Sequence, residues 1–324
     1  MSKKFNNKTL LYILLGCAIA YFAIKLYQHK FIDNTLNINL VNIDTSKVTK
    51  ILLYPVSEGR NEIKFFKDGK DWKVSKGKIV TEPEANSVQT LLAMLREIKT
   101  QRLASRQKSQ WPEYNVTDTA NRVEVFEGNK KTMDLLVGKF SYQQSNSPYS
   151  RMYGGGVTGT TYVRLHGEDE IYAIDGFLSF SINRQFNTFR NQTLARFDKP
   201  GVNKITFHYP GDSSFVVMMK DKKWMVNDQK ADSTKVSEYL NSLANKNTSS
   251  FDDNFIPSLN PQCQLTIEGK DIKTITIDVY IRGKNDFVLN SNQNPKSWFT
   301  SSYKGLYSEV FKNKKDFLPG NKKK

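Results

Sequence analysis

The chain has 324 residues, 38% of them hydrophobic and 12% aromatic, which is enough apolar side chain for one large core or two moderate ones and excludes a disordered protein. Lys+Arg 48 against Asp+Glu 32 gives a net charge of +16, a balance that favours anionic partners or a solvated lysine-rich surface. Its two cysteines, Cys17 and Cys263, stand far apart, which excludes a disulfide-knit scaffold and a cysteine-rich metal site.

Residues 1–8 carry Lys3, Lys4 and Lys8 and are expected to form a cytoplasmic tail. From Leu10 to Ile24 no charge occurs, and Thr9 and Leu26-Tyr27 extend the run to residues 9–27. At 1.5 Å per residue it covers roughly 28 Å, close to one hydrocarbon core. Tyr12, Tyr21, Phe22 and Tyr27 lie where interfacial aromatics sit. The residues predict a single transmembrane anchor, with the bulk of the chain on the extracytoplasmic side of a cytoplasmic membrane. No small-x-small site follows the apolar run before Lys25, which disfavours a cleaved signal peptide. Leu14-Leu15-Gly16-Cys17 has the form of a lipoprotein cleavage box, but an apolar run follows Cys17 where a polar tether is expected; lipidation of Cys17 stays open. Five lysines and no acid stand in the first thirty residues, so +11 of the charge belongs to the remainder. Residues 28–47 are expected to be a linker.

An internal repeat follows. Val48-Thr-Lys-Ile51 is echoed by Val202-Asn-Lys-Ile205, and Tyr54-Pro55 by Tyr209-Pro210. A charged turn and a tryptophan come next in each copy, Trp72 with Val74 and Trp224 with Val226. Alternating polarity over 48–56, 60–67 and 70–75 predicts antiparallel strands with tight turns. Asn86 or Ser87, and Asp232 or Ser233, are placed to cap a helix. Val88, Leu92 and Leu95, like Val236, Leu240 and Leu243, are spaced four and three, which puts them on one helix face against a sheet. Trp72 and Trp224 read as core beside those aliphatic residues rather than as stacking platforms for a sugar or base.

Further strands are expected at 121–127, 131–137, 160–166 and 170–175 with a helix over 177–189. The second copy has strands at 262–268, 272–282, 285–290 and 296–302 with a helix near 309–317. The expected fold class is therefore α+β: the anchor, then two tandem repeats of antiparallel sheet with a packed helix. One repeat covers 48–200 and a shorter one 202–318, ahead of a basic tail at 319–324. Residues 141–160 read as the longest loop, and Tyr142, Tyr149, Arg151 and Tyr153 make it the expected partner-binding loop.

Catalytic chemistry is not legible. His166 and His208 lack a second ligand at metal spacing. No Gly-x-Ser-x-Gly occurs, and the Ser-x-x-Lys spacings at Ser105 and Ser301 lack companion elements. Gly154-Gly155-Gly156 runs into a predicted strand rather than a helix, against a phosphate loop. No catalytic, cofactor or metal residue is expected. The basic run from Lys99 to Trp111 lies on the wrong side of the membrane for nucleic acid.

The anchor, the Val-x-Lys-Ile and Trp-x-Val strands and the Ala-Asx-Ser entry to an aliphatic helix together resemble the bacterial family of domain of unknown function 4340. The likeness is fullest over 48–200, with the stretch from 202 a divergent return. The resemblance implies an uncharacterised envelope protein encoded near gliding-type ABC transporter components, and carries no activity or catalytic residue. The expectation is a non-enzymatic accessory or scaffold subunit of a membrane transport or surface-machinery complex, partnered by other envelope membrane proteins. The alternative is a binding module for an anionic envelope glycan or lipid.

Overall fold

The computed structural model describes residues 12–22, 39–144, 157–257 and 260–320. Residues 12–22 form helix α1, with every side chain exposed. The expected anchor over 9–27 runs past the described residues at both ends. Among the described residues no helix is long and apolar enough to cross a membrane.

The remaining fold is α+β and mostly antiparallel sheet. The first half carries β1 (Asn39–Asn42), β2 (Val48–Tyr54), β3 (Ile63–Asp68), β4 (Asp71–Lys76), β5 (Ile79–Thr81), α2 (Ser87–Arg96), β6 (Glu97–Ser105), β7 (Asn121–Glu127), β8 (Lys130–Gln144), β9 (Val157–Leu165), β10 (Ile171–Asp175) and α3 (Leu178–Ile182). The second carries β11 (Thr193–Arg196), β12 (Val202–His208), β13 (Phe215–Lys220), β14 (Lys223–Val226), β15 (Gln229–Lys230), α4 (Ser233–Leu243), β16 (Asn245–Asn247), β17 (Cys263–Gly269), β18 (Ile275–Gly283), β19 (Asp286–Ser291), β20 (Asn294–Ser302) and α5 (Ser308–Val310). Two compact units result, one of Met1–Phe66 with Gln89–Arg184 and one of Lys67–Val88 with Gln185–Lys324.

In the first unit the strands run β10-β9-β8-β7-β2-β3, and in the second β20-β19-β18-β17-β12-β13. The order is the same because the central strands carry the same pattern. Ile51 of β2 pairs with Phe65 on one side and Val125 on the other, all fully buried. Ile205 of β12 pairs likewise with Val217 and Ile267, also fully buried. Alternate residues of one strand face put β-branched and aromatic side chains into each core. The register slips at the same place in both, between Val48 and Lys50 and between Val202 and Lys204, where a bulge sharpens the local twist. Antiparallel pairs follow each helix, β1 with β6 and β11 with β16. They differ in that β6 also pairs β10 in the large sheet, whereas β11 and β16 form a sheet of two.

The α4 helix buries Val236, Tyr239, Leu240 and Leu243 and is capped by Asp232, whose carboxylate accepts the Thr234 and Lys235 amides. On α2, Val88, Leu91 and Leu95 are buried and Leu92 is half-buried. The expected Leu92 thus flanks the buried stripe, since spacings of three and four from Val88 reach Leu91 and Leu95 just as well. The α2 entry departs from expectation too: Asn86 takes a left-handed φ of 61° and the Ser87 hydroxyl is buried without a partner.

Other expectations are corrected. Residues 141–144 and 157–160 are not loop but the end of the β8–β9 ladder, which continues to Gln144↔Val157. Phe140 opposite Thr161 and Ser141 opposite Thr160, with Gln143 opposite Thr158 further along, continue the ladder with aromatic and β-branched residues of strand character. The expected linker contains β1. The helix over 177–189 is the five-residue α3 and a 3-10 turn at Phe186–Thr188, and that near 309–317 is α5 and a turn at Lys314–Phe317. The basic run from Lys99 begins in β6, between β1 and β10.

Candidate functional site

Two features of the first unit meet at α3. The first is an aromatic patch. Leu178 and Ile182 are buried and pin α3 down, while the Ser179 hydroxyl donates to the Gly138 carbonyl of β8 at 3.0 Å. Phe177, just before Leu178, and Phe180, between Leu178 and Ile182, point outward, 47% and 58% exposed. Both rings pack on Phe140 of β8, with centroids at 5.0 and 4.9 Å. Gly159 of β9 makes room, because a Cβ there would lie 2.5 Å from the Phe140 ring. Tyr142, two residues along the same strand face as Phe140, is 68% exposed. Water therefore meets the mutually packed rings of Phe140, Phe177 and Phe180 with Tyr142 further along the same strand face, the kind of surface that marks an interaction site.

The second is a cavity of about 480 Å³ between the 112–121 loop, the start of α3 and β8. Its wall sets the amides and hydroxyls of Asn115, Thr117, Thr119, Asn121, Ser179 and Asn183 beside the apolar Val56, Pro112, Ala120 and Val137, and among the described residues its sole charged lining residue is Lys139. The loop can approach β8 only because residue 138 is glycine: a Cβ would lie 2.2 Å from the Tyr114 carbonyl and 2.6 Å from Val116. Asn121 is part of the frame, its oxygen accepting the Val56 amide at 2.8 Å. Lys139 has no carboxylate partner among the described residues; its ammonium lies over the rings of Tyr114 and Tyr162, at 5.0 and 5.7 Å.

Clusters of ionisable groups elsewhere are internally compensated. Arg122 donates two 2.7 Å hydrogen bonds to Asp134, and Lys131 a third. Burial pushes the Asp134 carboxyl up, but the bonds from Arg122 and Lys131 outweigh it and hold it below the usual carboxylate range. Glu124 joins through Arg122 at 2.7 Å, and His166 approaches Asp134 at 3.6 Å. That contact, between β8 and the end of β9, was invisible to sequence spacing. Among the described residues no group of three or more His, Cys, Asp or Glu could hold a metal ion. The Ser301 hydroxyl, one of the Ser-x-x-Lys candidates, accepts the Tyr307 amide and donates to the Ser302 carbonyl, and the Ser105 hydroxyl accepts the Gln107 amide. Burial pushes the Cys263 thiol up, away from the reactive thiolate, despite a hydrogen bond from Tyr307.

Of the expected partner-binding residues, Tyr142 stands in the patch, and Tyr149, Arg151 and Tyr153 lie outside the described residues. Trp72 and Trp224 are both half-buried, two positions before the buried Val74 and Val226, and Trp224 packs against the second core. Phe177 and Phe180 went unassigned in the sequence. The signal was the run Phe177-Leu-Ser-Phe180, in which two rings three apart must share a face that Leu178 does not.

Residues 81–261, more than half of the chain, match the family described as domain of unknown function (DUF4340). No curated protein and no solved structure matches. The match starts at the end of β5 and stops just before β17, later along the chain than the resemblance over 48–200. On this match the chain belongs to the DUF4340 family.

Proposed function

We propose that the chain is a non-enzymatic, membrane-anchored envelope protein, built by duplication of one sheet-and-helix unit, that acts as an accessory subunit of a membrane transport or surface-machinery complex. The observation that carries this reading is the patch of Phe140, Tyr142, Phe177 and Phe180, which leaves large apolar rings in water for a protein partner to cover. Burying one phenylalanine contributes about 1.5–3 kcal/mol, so two such rings can anchor a subunit contact. Support for the anchor comes from α1, whose apolar side chains, from Tyr12 and Ile13 to Tyr21 and Phe22, are exposed all round, as suits a lipid environment. The matching strand orders, and the bulges at the same place in both, support the duplication.

The test is co-purification of the full chain from detergent. A stoichiometric membrane protein should accompany the native chain, and Phe180→Asp with Phe177→Asp should reduce its recovery at least tenfold while circular dichroism stays unchanged. Recovery of no membrane protein, or equal recovery by the double variant, refutes the docking reading. Activity of a carboxyl-terminal reporter only in the cytoplasm refutes the envelope location.

A further inference from the structure

We infer that the cavity between the 112–121 loop, β8 and α3 is a binding site for an acidic saccharide, a hydroxylated ring bearing one carboxylate. The inference goes beyond the docking reading and does not rest on it, since it concerns different residues of the same unit.

The lining points to the chemical class: its apolar part, Val56, Pro112, Ala120 and Val137, suits the C–H face of a ring, and its polar part suits hydroxyl groups. A cavity of about 480 Å³ lies within the range of small-molecule sites. Asn115, Thr117, Thr119, Ser179 and Asn183 line it with neutral donors and acceptors. Several are only partly used within the fold: the Thr117 and Thr119 hydroxyls bond one another at 2.8 Å, leaving further lone pairs. The Asn183 oxygen accepts the Ser57 amide, and its amide N–H groups have no partner among the described residues. Amides and hydroxyls suit a ligand that presents many hydroxyl groups, each both donor and acceptor.

Charge narrows the class. Among the described residues Lys139 is the one ion on the wall and has no carboxylate partner; it is half-buried and rests on two tyrosine faces. The nearby acid Asp118 is already engaged by Arg164 at 2.6 Å, which holds its carboxyl below the usual range. The site therefore holds about one uncompensated positive charge. A carboxylate matches it; a phosphate monoester, at roughly −1.5 to −2 near neutral pH, would leave a partly buried excess.

The full chain in detergent, titrated calorimetrically with glucuronate, glucose and glycerol 3-phosphate, tests this. Glucuronate should bind saturably and at least tenfold more tightly than the other two, weakening as salt is raised. Lys139→Met, which keeps the aliphatic stem on the tyrosines, should cost about tenfold in glucuronate affinity and abolish the salt dependence. Should that variant fail to fold, amide shifts in the native chain serve instead, and glucuronate should move Asn115, Thr117 and Asn183. Absence of saturable glucuronate binding, equal binding of glucose or glycerol 3-phosphate, an unaffected Lys139→Met or shifts confined elsewhere each overturns the assignment. The Phe180→Asp variant should bind glucuronate normally, so the cavity and the docking patch fail or stand separately.

Discussion

Among the described residues two arginines are almost wholly buried, and each solves the same electrostatic problem. Arg164 lies 3.6 Å over Trp111 and donates to the Val116 and Glu168 carbonyls and to Asp118. Arg190, 1% exposed, lies 3.7 Å over Phe251 and makes a two-pronged pair with Asp253 at 2.7 and 2.8 Å. Its Nε is buried without a partner, so the guanidinium depends on Asp253 for its compensation. The pair is asymmetric, because the Asp253 side chain is 32% exposed and can hydrate when left alone. Asp253→Ala is therefore expected to cost about 3–5 kcal/mol, the penalty for stranding a buried charge. Arg190→Met keeps an apolar stem against Phe251 and should cost about 1–2 kcal/mol, a few hydrogen bonds' worth. Urea unfolding of the full chain measures both, and equal losses would contradict the asymmetry.

The entries to α2 and α4 look alike in sequence and differ in physics. Asp232 takes extended backbone and satisfies two amides of α4, whereas Asn86 is left-handed and the Ser87 hydroxyl is unpartnered. Asp232→Ala should cost about 1 kcal/mol, and Ser87→Ala should be near neutral or favourable because it removes a buried unsatisfied group. Thermal melts of the two variants check this; equal losses would show that α2 is capped after all. The antiparallel α+β character was legible because Ile51, Leu53, Ile205 and Phe207 alternate in a way that only a half-buried strand produces. The short α3 was not, since Phe177-Leu-Ser-Phe180 fits a longer helix as well, and what stops it is the left-handed Gly176 before it (φ 97°) and the turn at Asn183 after it. The cavity was not legible either: its walls come from residues 56, 112–121, 137–139 and 179–183, and no local spacing announces an assembly of neutral side chains from four segments.

At the scale of the molecule, alkalinity acts on the fold through buried phenols. Tyr209, Tyr239 and Tyr307 of the second unit all have phenols pushed above the usual 10 by burial, Tyr307 to about 12. Below pH 10 the phenols are neutral in both the folded and unfolded chain, and their burial stabilises the fold in full. As pH rises from 10 towards 12 the unfolded chain ionises and the folded one resists, so stability falls. Urea midpoints should be flat from pH 8 to near 10 and then decline; a midpoint level to pH 12 would contradict it. Lysine deprotonation over the same range acts both ways, relieving repulsion in a chain of +16 and breaking ion pairs such as Lys131 with Asp134.

Residues 67–88 belong to the second unit although both flanking stretches belong to the first. Neither unit is therefore a continuous piece of chain. On the ribosome, β4 and β5 emerge early and must wait for the strands from β11 onward before their unit can close. At 5–20 residues per second that delay is roughly ten seconds or more, an interval in which the hairpin stands without the remainder of its unit, and a reason for the cell to keep a chaperone close to the nascent chain.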